Sequence, residues 1–120
     1  RKGDNMAFQL YEYKGGKPSR PSVTITAAGA MSLSKACFDK YLGDKDYVQL
    51  YYDKDRGLIG IKGVDKEGDN TFKVTRSGNR ASGSIAGRSF LNHLEIDFLK
   101  RKKFIPEFNE KEGILFFKVG

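Results

Sequence analysis

The chain has 120 residues, a formal net charge of +7 and a single cysteine, Cys37. This length fits one domain with its own core, and one cysteine excludes both an internal disulfide and a cysteine metal centre. No apolar run approaches the roughly 20 residues of a membrane span, and no apolar signal segment opens the chain. We therefore predict a cytoplasmic protein with no membrane attachment.

The positive charge is distributed unevenly along the chain. Residues 1–20 hold five Lys/Arg and two Asp/Glu, residues 21–65 hold six of each, and residues 66–120 hold eleven against seven. A basic surplus confined to part of a small domain favours a polyanion as partner, because each phosphate neutralised releases condensed counterions. The alternative is a lysine-rich surface that serves solubility alone.

Residues 1–22 are predicted to form an N-terminal arm. A short strand of unassigned pairing is expected at residues 7–13, and residues 14–22 are rich in Gly, Pro and Ser, which is typical of a flexible linker. Its cations could follow a nucleic-acid groove or merely belong to a tether. They are Lys14, Lys17 and Arg20.

Residues 23–64 are predicted to form two hairpins joined by a helix. The period-2 alternation begins at Val23 and resumes after the turn at Gly29, which indicates two short strands. Ser34 is predicted to cap the following helix through its hydroxyl, and Gly43 to end it. A second hairpin follows, with its polar turn ending at Gly57.

Residues 65–71 are read as a linker, and residues 72–120 as a second unit of the same kind. This unit has two strands, a helix centred on Phe90 and Leu94, and a last hairpin. Pro106 predicts that one of its strands is irregular, because proline is tolerated only at an edge or a bulge. Neither unit has enough residues to fold alone, so we expect the two to share one core.

The two units align with small gaps, which indicates an internal repeat. The sequence therefore predicts an α+β fold: two tandem β-β-α-β-β units in one pseudo-two-fold, mostly antiparallel, barrel-like domain. The aligned pairs are Thr26 with Thr75, Gly29 with Gly78, Ser32 with Ser84, Phe38 with Phe90, Leu42 with Leu94, Gly57 with Gly113 and Lys62 with Lys118.

The first unit resembles the swapped-hairpin domains of the AbrB, MazE and MraZ group. The resemblance is carried by Gly29, Leu33, Leu42-Gly43, Tyr47-Val48 and the turn at Gly57. It implies an interleaved barrel that binds duplex DNA and regulates transcription. The oligomeric state stays open, a homodimer included.

The sequence departs from that group at two positions of the first unit. Ala30 stands where members commonly carry an arginine, and Ser34 where they carry a proline. The matching turn of the second unit supplies Arg80, so we expect the second unit to dominate a DNA-binding face.

Eight cations of the second unit are the predicted nucleic-acid contacts. Exposed guanidinium groups can bind phosphate oxygens or the guanine edge, and lysines bind the backbone. An ordinary solvated surface is the alternative. The eight residues are Lys73, Arg76, Arg80, Arg88, Lys100, Arg101, Lys102 and Lys103.

Two other kinds of function stay open. Tyrosines interleaved with cations can stack on single-stranded nucleic acid, although we expect at least half of the four candidates to be buried. A protein-interaction or assembly module is the other alternative. The candidate tyrosines are Tyr11, Tyr47, Tyr51 and Tyr52.

No pattern of catalytic or metal-binding residues is found. His93 is the only histidine, Cys37 has no base placed near it, and the aspartates between 44 and 55 lack the spacing of a calcium loop. We predict no enzyme activity, no metal and no cofactor, and expect Cys37 to be a small buried residue.

Overall fold

The computed structural model describes residues 9–10, 20–78 and 82–119. The first half of the described chain contains four strands and one short helical segment, in which a single α-helical turn continues as a π-helical turn. The elements are β1 (Val23–Ile25), β2 (Ala30–Leu33), α1 (Lys35–Cys37), the π-helical turn (Phe38–Leu42), β3 (Tyr47–Asp53) and β4 (Leu58–Val64).

The second half contains five strands and one helix. The sequence predicts one strand around Pro106, and the structure has two short ones, β7 (Lys102–Phe104) and β8 (Glu107–Asn109), separated by Ile105 and Pro106. The irregularity predicted from Pro106 is therefore confirmed. The elements are β5 (Thr71–Arg76), β6 (Gly83–Ala86), α2 (Arg88–His93), β7 (Lys102–Phe104), β8 (Glu107–Asn109) and β9 (Ile114–Lys118).

All nine strands belong to one curled antiparallel sheet. Its order is β7-β1-β2-β6-β5-β3-β4-β9-β8. Strand β5 turns the corner of the sheet, since its first half pairs with β3 and its second half with β6. The two outermost strands, β7 and β8, are consecutive in the chain, so the sheet curls until its two ends are joined by two residues.

The core lies inside this curl and draws on both halves of the chain. Strand residues at alternate positions are almost fully buried, as the period-2 pattern requires. The helical segments add Cys37, Phe38, Leu42 and Leu91. The buried strand residues are Val23, Ile25, Met31, Leu33, Val48, Ile59, Ile61, Val74, Ile85, Leu115 and Phe117.

The predicted α+β class with two β-β-α-β-β units is wrong. Among the residues that the structure describes, the helical segments cover only 35–42 and 88–93, so the architecture is mostly antiparallel sheet. The apolar spacing at Phe38, Tyr41 and Leu42 fits two helical turns. So short a pattern does not distinguish a helix that forms its own layer from a helical turn that merely connects two strands. Strands from the first and second halves of the chain are also interleaved in the sheet, with β2 beside β6 and β4 beside β9.

Two predictions about the ends of the first helical segment have opposite outcomes. Gly43 ends it with φ 64°, a left-handed conformation that glycine adopts without strain, so this prediction is confirmed. Ser34 does not cap it through its hydroxyl. Its Oγ instead accepts the N–H of Ser22 at 3.0 Å, because β1 begins beside it.

Within the described residues, no helix is long and apolar enough to cross a membrane.

Candidate nucleic-acid interface

The outward side of β1, β2, β6 and β5 is a row of small hydroxyl side chains. Val23, Ile25 and their counterparts on the other strands point inward, so the residues between them point outward. The strand register places these outward residues opposite one another from strand to strand. We name them the hydroxyl face: Thr24, Ser32, Ser84 and Thr75.

A cation stands at one end of this row and another lies beside its other end. Lys103 of β7 lies opposite Thr24, and Lys73 lies two residues before Thr75 on the same side of β5. Both lysines are exposed, and neither forms an ion pair with the described part of the chain. In the next row of the sheet Ala30 lies opposite Ala86, so the two central side chains of that row are also small.

The strands of the hydroxyl face come from two stretches of sequence that contain no acidic residue. Residues 13–38 and 70–94 carry four Lys/Arg each and no Asp or Glu. Eight of the fifteen acids lie at strand ends and connections of the other half of the sheet, at residues 53–55, 65–69 and 107–112. Asp46 comes nearer, since its carbonyl accepts the N–H of Val74 in β5 at 2.8 Å. Pairing of β2 with β6 joins the described strands of these two stretches into one half of the sheet. We call it the acid-free half, because its strands β1, β2, β6 and β5 contain no acidic residue.

Arg88 is exposed at the first position of α2, beside the turn between β1 and β2. Its side chain lies against Gly29, where a Cβ would come within 2.8 Å of Arg88 Cβ. Gly29 has φ 85°, so both the backbone conformation and the close approach favour glycine there. The contact holds Arg88 at the edge of the acid-free half.

Arg76 does not face solvent beside these residues. Its guanidinium carbon lies 3.8 Å from the centre of the Phe38 ring, and its Nε donates to the carbonyl of Ser82 at 3.4 Å. Such stacking is a stabilising contact between the sheet and the π-helical turn. A substitution at Arg76 would therefore disturb packing as well as charge.

The cationic run at 100–103 is divided by the alternation of β7. Lys103 points to the hydroxyl face, whereas Lys100, Arg101 and Lys102 border a cleft at one end of the sheet. The four cations expected to act together thus serve two surfaces.

The predicted arm contributes one described cation. Arg20 is exposed three residues before β1, on the acid-free half. Lys14, Lys17 and Arg80, together with the strand predicted at 7–13 apart from Gln9 and Leu10, lie outside the described residues.

The expectation that half of the tyrosines are buried is wrong. Tyr51 and Tyr52 are 40% and 52% exposed, Tyr47 is half-buried, and Tyr11 lies outside the described residues. Tyr51 points outward on β3 and donates its hydroxyl to Gln49 Oε1 at 2.9 Å. It therefore lies on the other half of the sheet from the hydroxyl face.

The remaining candidates for chemistry are not gathered into a site. His93 is exposed and makes an edge contact with Tyr52 at 5.7 Å, while Cys37 is fully buried, as predicted. In the described ranges, no three His, Cys, Asp or Glu side chains cluster in a way that could hold a metal ion.

Sequence reasoning found the cations but missed the hydroxyl face. In the sequence, a serine or threonine on a strand indicates only that its side chain points outward. The order and register of the strands decide which of these residues become neighbours. The two stretches without acids were visible in the sequence and could have pointed to this surface.

Comparisons with protein-family models, with curated proteins and with solved structures find no match for this chain. The resemblance to swapped-hairpin DNA-binding domains therefore stays a prediction.

Proposed function

We propose that this protein binds nucleic acid, duplex DNA above all, through contacts with the sugar-phosphate backbone of the nucleic acid. The observation that carries the proposal is the hydroxyl face itself, whose strands contain no acidic residue and which has Lys103 and Lys73 at its two sides. Serine and threonine hydroxyls, lysines and arginines are the side chains that most often contact phosphate and sugar. Small side chains also allow a ligand backbone to approach the sheet closely.

The size of the surface supports a duplex ligand. Five neighbouring strands, from β7 to β5, span about 19 Å at about 4.8 Å per strand. This exceeds the major-groove width of about 12 Å, so contacts to phosphates on both sides of one groove lie within reach. The hydroxyl face carries no aromatic ring, which favours backbone contact over base stacking.

A transcriptional regulator of the kind that the resemblance implies also needs to read bases. Arginine can bind guanine through two hydrogen bonds in the major groove. Arg88 is the described arginine that we propose for this role, since it is exposed at the edge of the acid-free half.

The test is fluorescence anisotropy with a labelled duplex of about two helical turns, titrated at several salt concentrations. We expect micromolar or tighter binding with a steep salt dependence. The double variant Lys73→Gln/Lys103→Gln should bind about tenfold more weakly, and its salt slope should fall by about two, because two phosphate contacts are lost.

The matched control is Lys66→Gln/Lys111→Gln, which removes the same charge from exposed connections near the acidic residues. It should change affinity much less than the first pair. Equal losses in both pairs would mean that only total charge matters, and the hydroxyl face would then have no special role. Absence of duplex binding at low salt would overturn the proposal.

Single-strand binding is a second candidate, favoured by the exposure of Tyr51. Lys62 of β4 lies opposite Gln49, two residues from Tyr51 on the same side of β3. Each base stacked on an aromatic side chain contributes about 1–3 kcal/mol. If the same strand unpaired bound more tightly than the duplex, and Tyr51→Ala removed that preference, this candidate would replace the first.

A further inference from the structure

A cleft of about 760 Å³ opens at one end of the curled sheet. This volume lies within the range of small-molecule sites, about 300–1,000 Å³. Its walls are the turn between β3 and β4, the end of β9, and the chain from the end of α2 into β7. Six apolar side chains line it: Ile25, Leu58, Leu94, Ile96, Phe104 and Val119.

The cleft follows from the way the sheet is closed. Strand β7 pairs only with β1, and β9 pairs with β4 and β8, so a gap is left between β7 and the end of β9. Phe104 spans the gap from beneath, with its ring centre 5.1 Å from that of Phe117. The N–H of Val119 is held by the carbonyl of Gly57 at 2.7 Å, which fixes the opposite wall.

The acidic groups around the cleft are already engaged within the chain. Glu95 forms an ion pair at 3.4 Å with Lys54, which lies in the turn between β3 and β4 on the other wall of the cleft. Asp97 accepts the N–H of Leu99 at 2.9 Å, and Asp53 forms an ion pair with Arg56 at 3.6 Å. The acids therefore have local partners that limit their effect on a bound anion.

The cations on the β7 side have no such partners. Lys100, Arg101 and Lys102 are exposed on the cleft wall and form no ion pair with any part of the chain that the structure describes. Lys102 instead lies 5.9 Å from the ring centre of Phe104, so a positive charge borders the apolar lining directly. An apolar lining beside unpaired cations complements a molecule that is apolar along its body and anionic at its head.

We propose that this cleft binds a small free organic anion with an apolar body, of the medium-chain carboxylate type. The body lies against Leu58, Leu94 and Phe104, and the carboxylate faces Lys100 and Arg101. This site is separate from the hydroxyl face. The two tests replace different residues, and only the control pair is common to both.

The test is isothermal titration of the full chain with decanoate, kept below its micelle concentration, beside hexanoate and acetate. Affinity should rise up to about fourfold for each methylene added, since each buried methylene favours binding. The variant Lys100→Gln/Arg101→Gln should bind decanoate at least about fivefold more weakly while binding 1-decanol as the native chain does. Lys66→Gln/Lys111→Gln should leave decanoate binding unchanged.

Three results would overturn the proposal. One is no decanoate binding at millimolar concentration. Another is equal affinity for acetate and decanoate, which would mean that the apolar lining is not used. The third is binding only to vesicles that contain anionic phospholipid and not to decanoate, which would assign the same cations to a membrane surface.

Discussion

At the scale of single residues, the buried thiol of Cys37 ties the beginning of β1 to the first helical segment. Its Sγ donates to the carbonyl of Ser22 at 3.2 Å, and the Ser34 hydroxyl donates to Sγ at 3.6 Å. Burial raises the pKa of the Cys37 thiol, and the hydrogen bond that the Ser34 hydroxyl donates to Sγ opposes this only in part. Burial of Cys37 was predictable from its apolar neighbours, whereas the use of Ser34 was not, because capping and tertiary hydrogen bonds need the same hydroxyl.

This pKa predicts how stability changes with pH. The unfolded thiol loses its proton near pH 8.5, and the folded thiol only at higher pH. The contribution of Cys37 is therefore constant below about pH 8 and is lost as pH rises through the folded pKa, by up to about 1.4 kcal/mol per pH unit.

The measurement is urea unfolding at pH 7.0 and 9.5 for the native chain and for Cys37→Ala. Both proteins share every other ionisable group, so the effects of those groups cancel in the comparison. We expect the native chain to lose more stability than the variant between the two pH values. The same loss in both would contradict the prediction.

At the scale of elements, the contact between the π-helical turn and the sheet depends on Gly83 of β6. A Cβ at this position would lie 2.8 Å from Val74 Cγ1 and 2.9 Å from Phe38 Cζ. Phe38 can therefore pack directly on the sheet, with Arg76 over its ring. The strands were predictable from alternation, but the size of the helices was not, because close packing of a single turn is enough to bury the few apolar residues that suggested a longer helix.

Gly83→Ala should lower the free energy of unfolding by about 1–3 kcal/mol, since the added methyl group has no space. Ser84→Ala, the next residue on the outward side, should change it by no more than about 0.5 kcal/mol. Urea unfolding of both variants makes the comparison. A stable Gly83→Ala protein would show that the π-helical turn can move away at little cost.

At the scale of the whole molecule, the fold is held by strand pairs between distant parts of the chain. Ile61 lies opposite Leu115, Ser32 opposite Ser84 and Val23 opposite Phe104. Turns and strands could be located from the sequence because their signals are local, and the shared core was expected on grounds of size. The order of the strands, and with it the hydroxyl face and the cleft, depends on these distant pairs, which no local pattern encodes.

These pairs predict that two fragments, residues 20–66 and 67–120, are each unfolded when separate. Each fragment lacks the strands that cover its apolar side, and each is near the lower size limit of an independent domain. Mixing them at equal concentration should restore the β-sheet circular dichroism of the intact chain. Cooperative thermal unfolding of either fragment alone would show that one half is autonomous.

The two outermost strands of the sheet have a further consequence, which concerns aggregation. An exposed edge strand can template the addition of strands from other molecules, and long flat apolar edges are the most hazardous. Here β7 and β8 have three residues each, β7 begins with Lys102 and Lys103, and Pro106, which has no N–H to donate, separates them. The edges of the sheet are thus short, charged and interrupted by a proline, which opposes fibril-like growth.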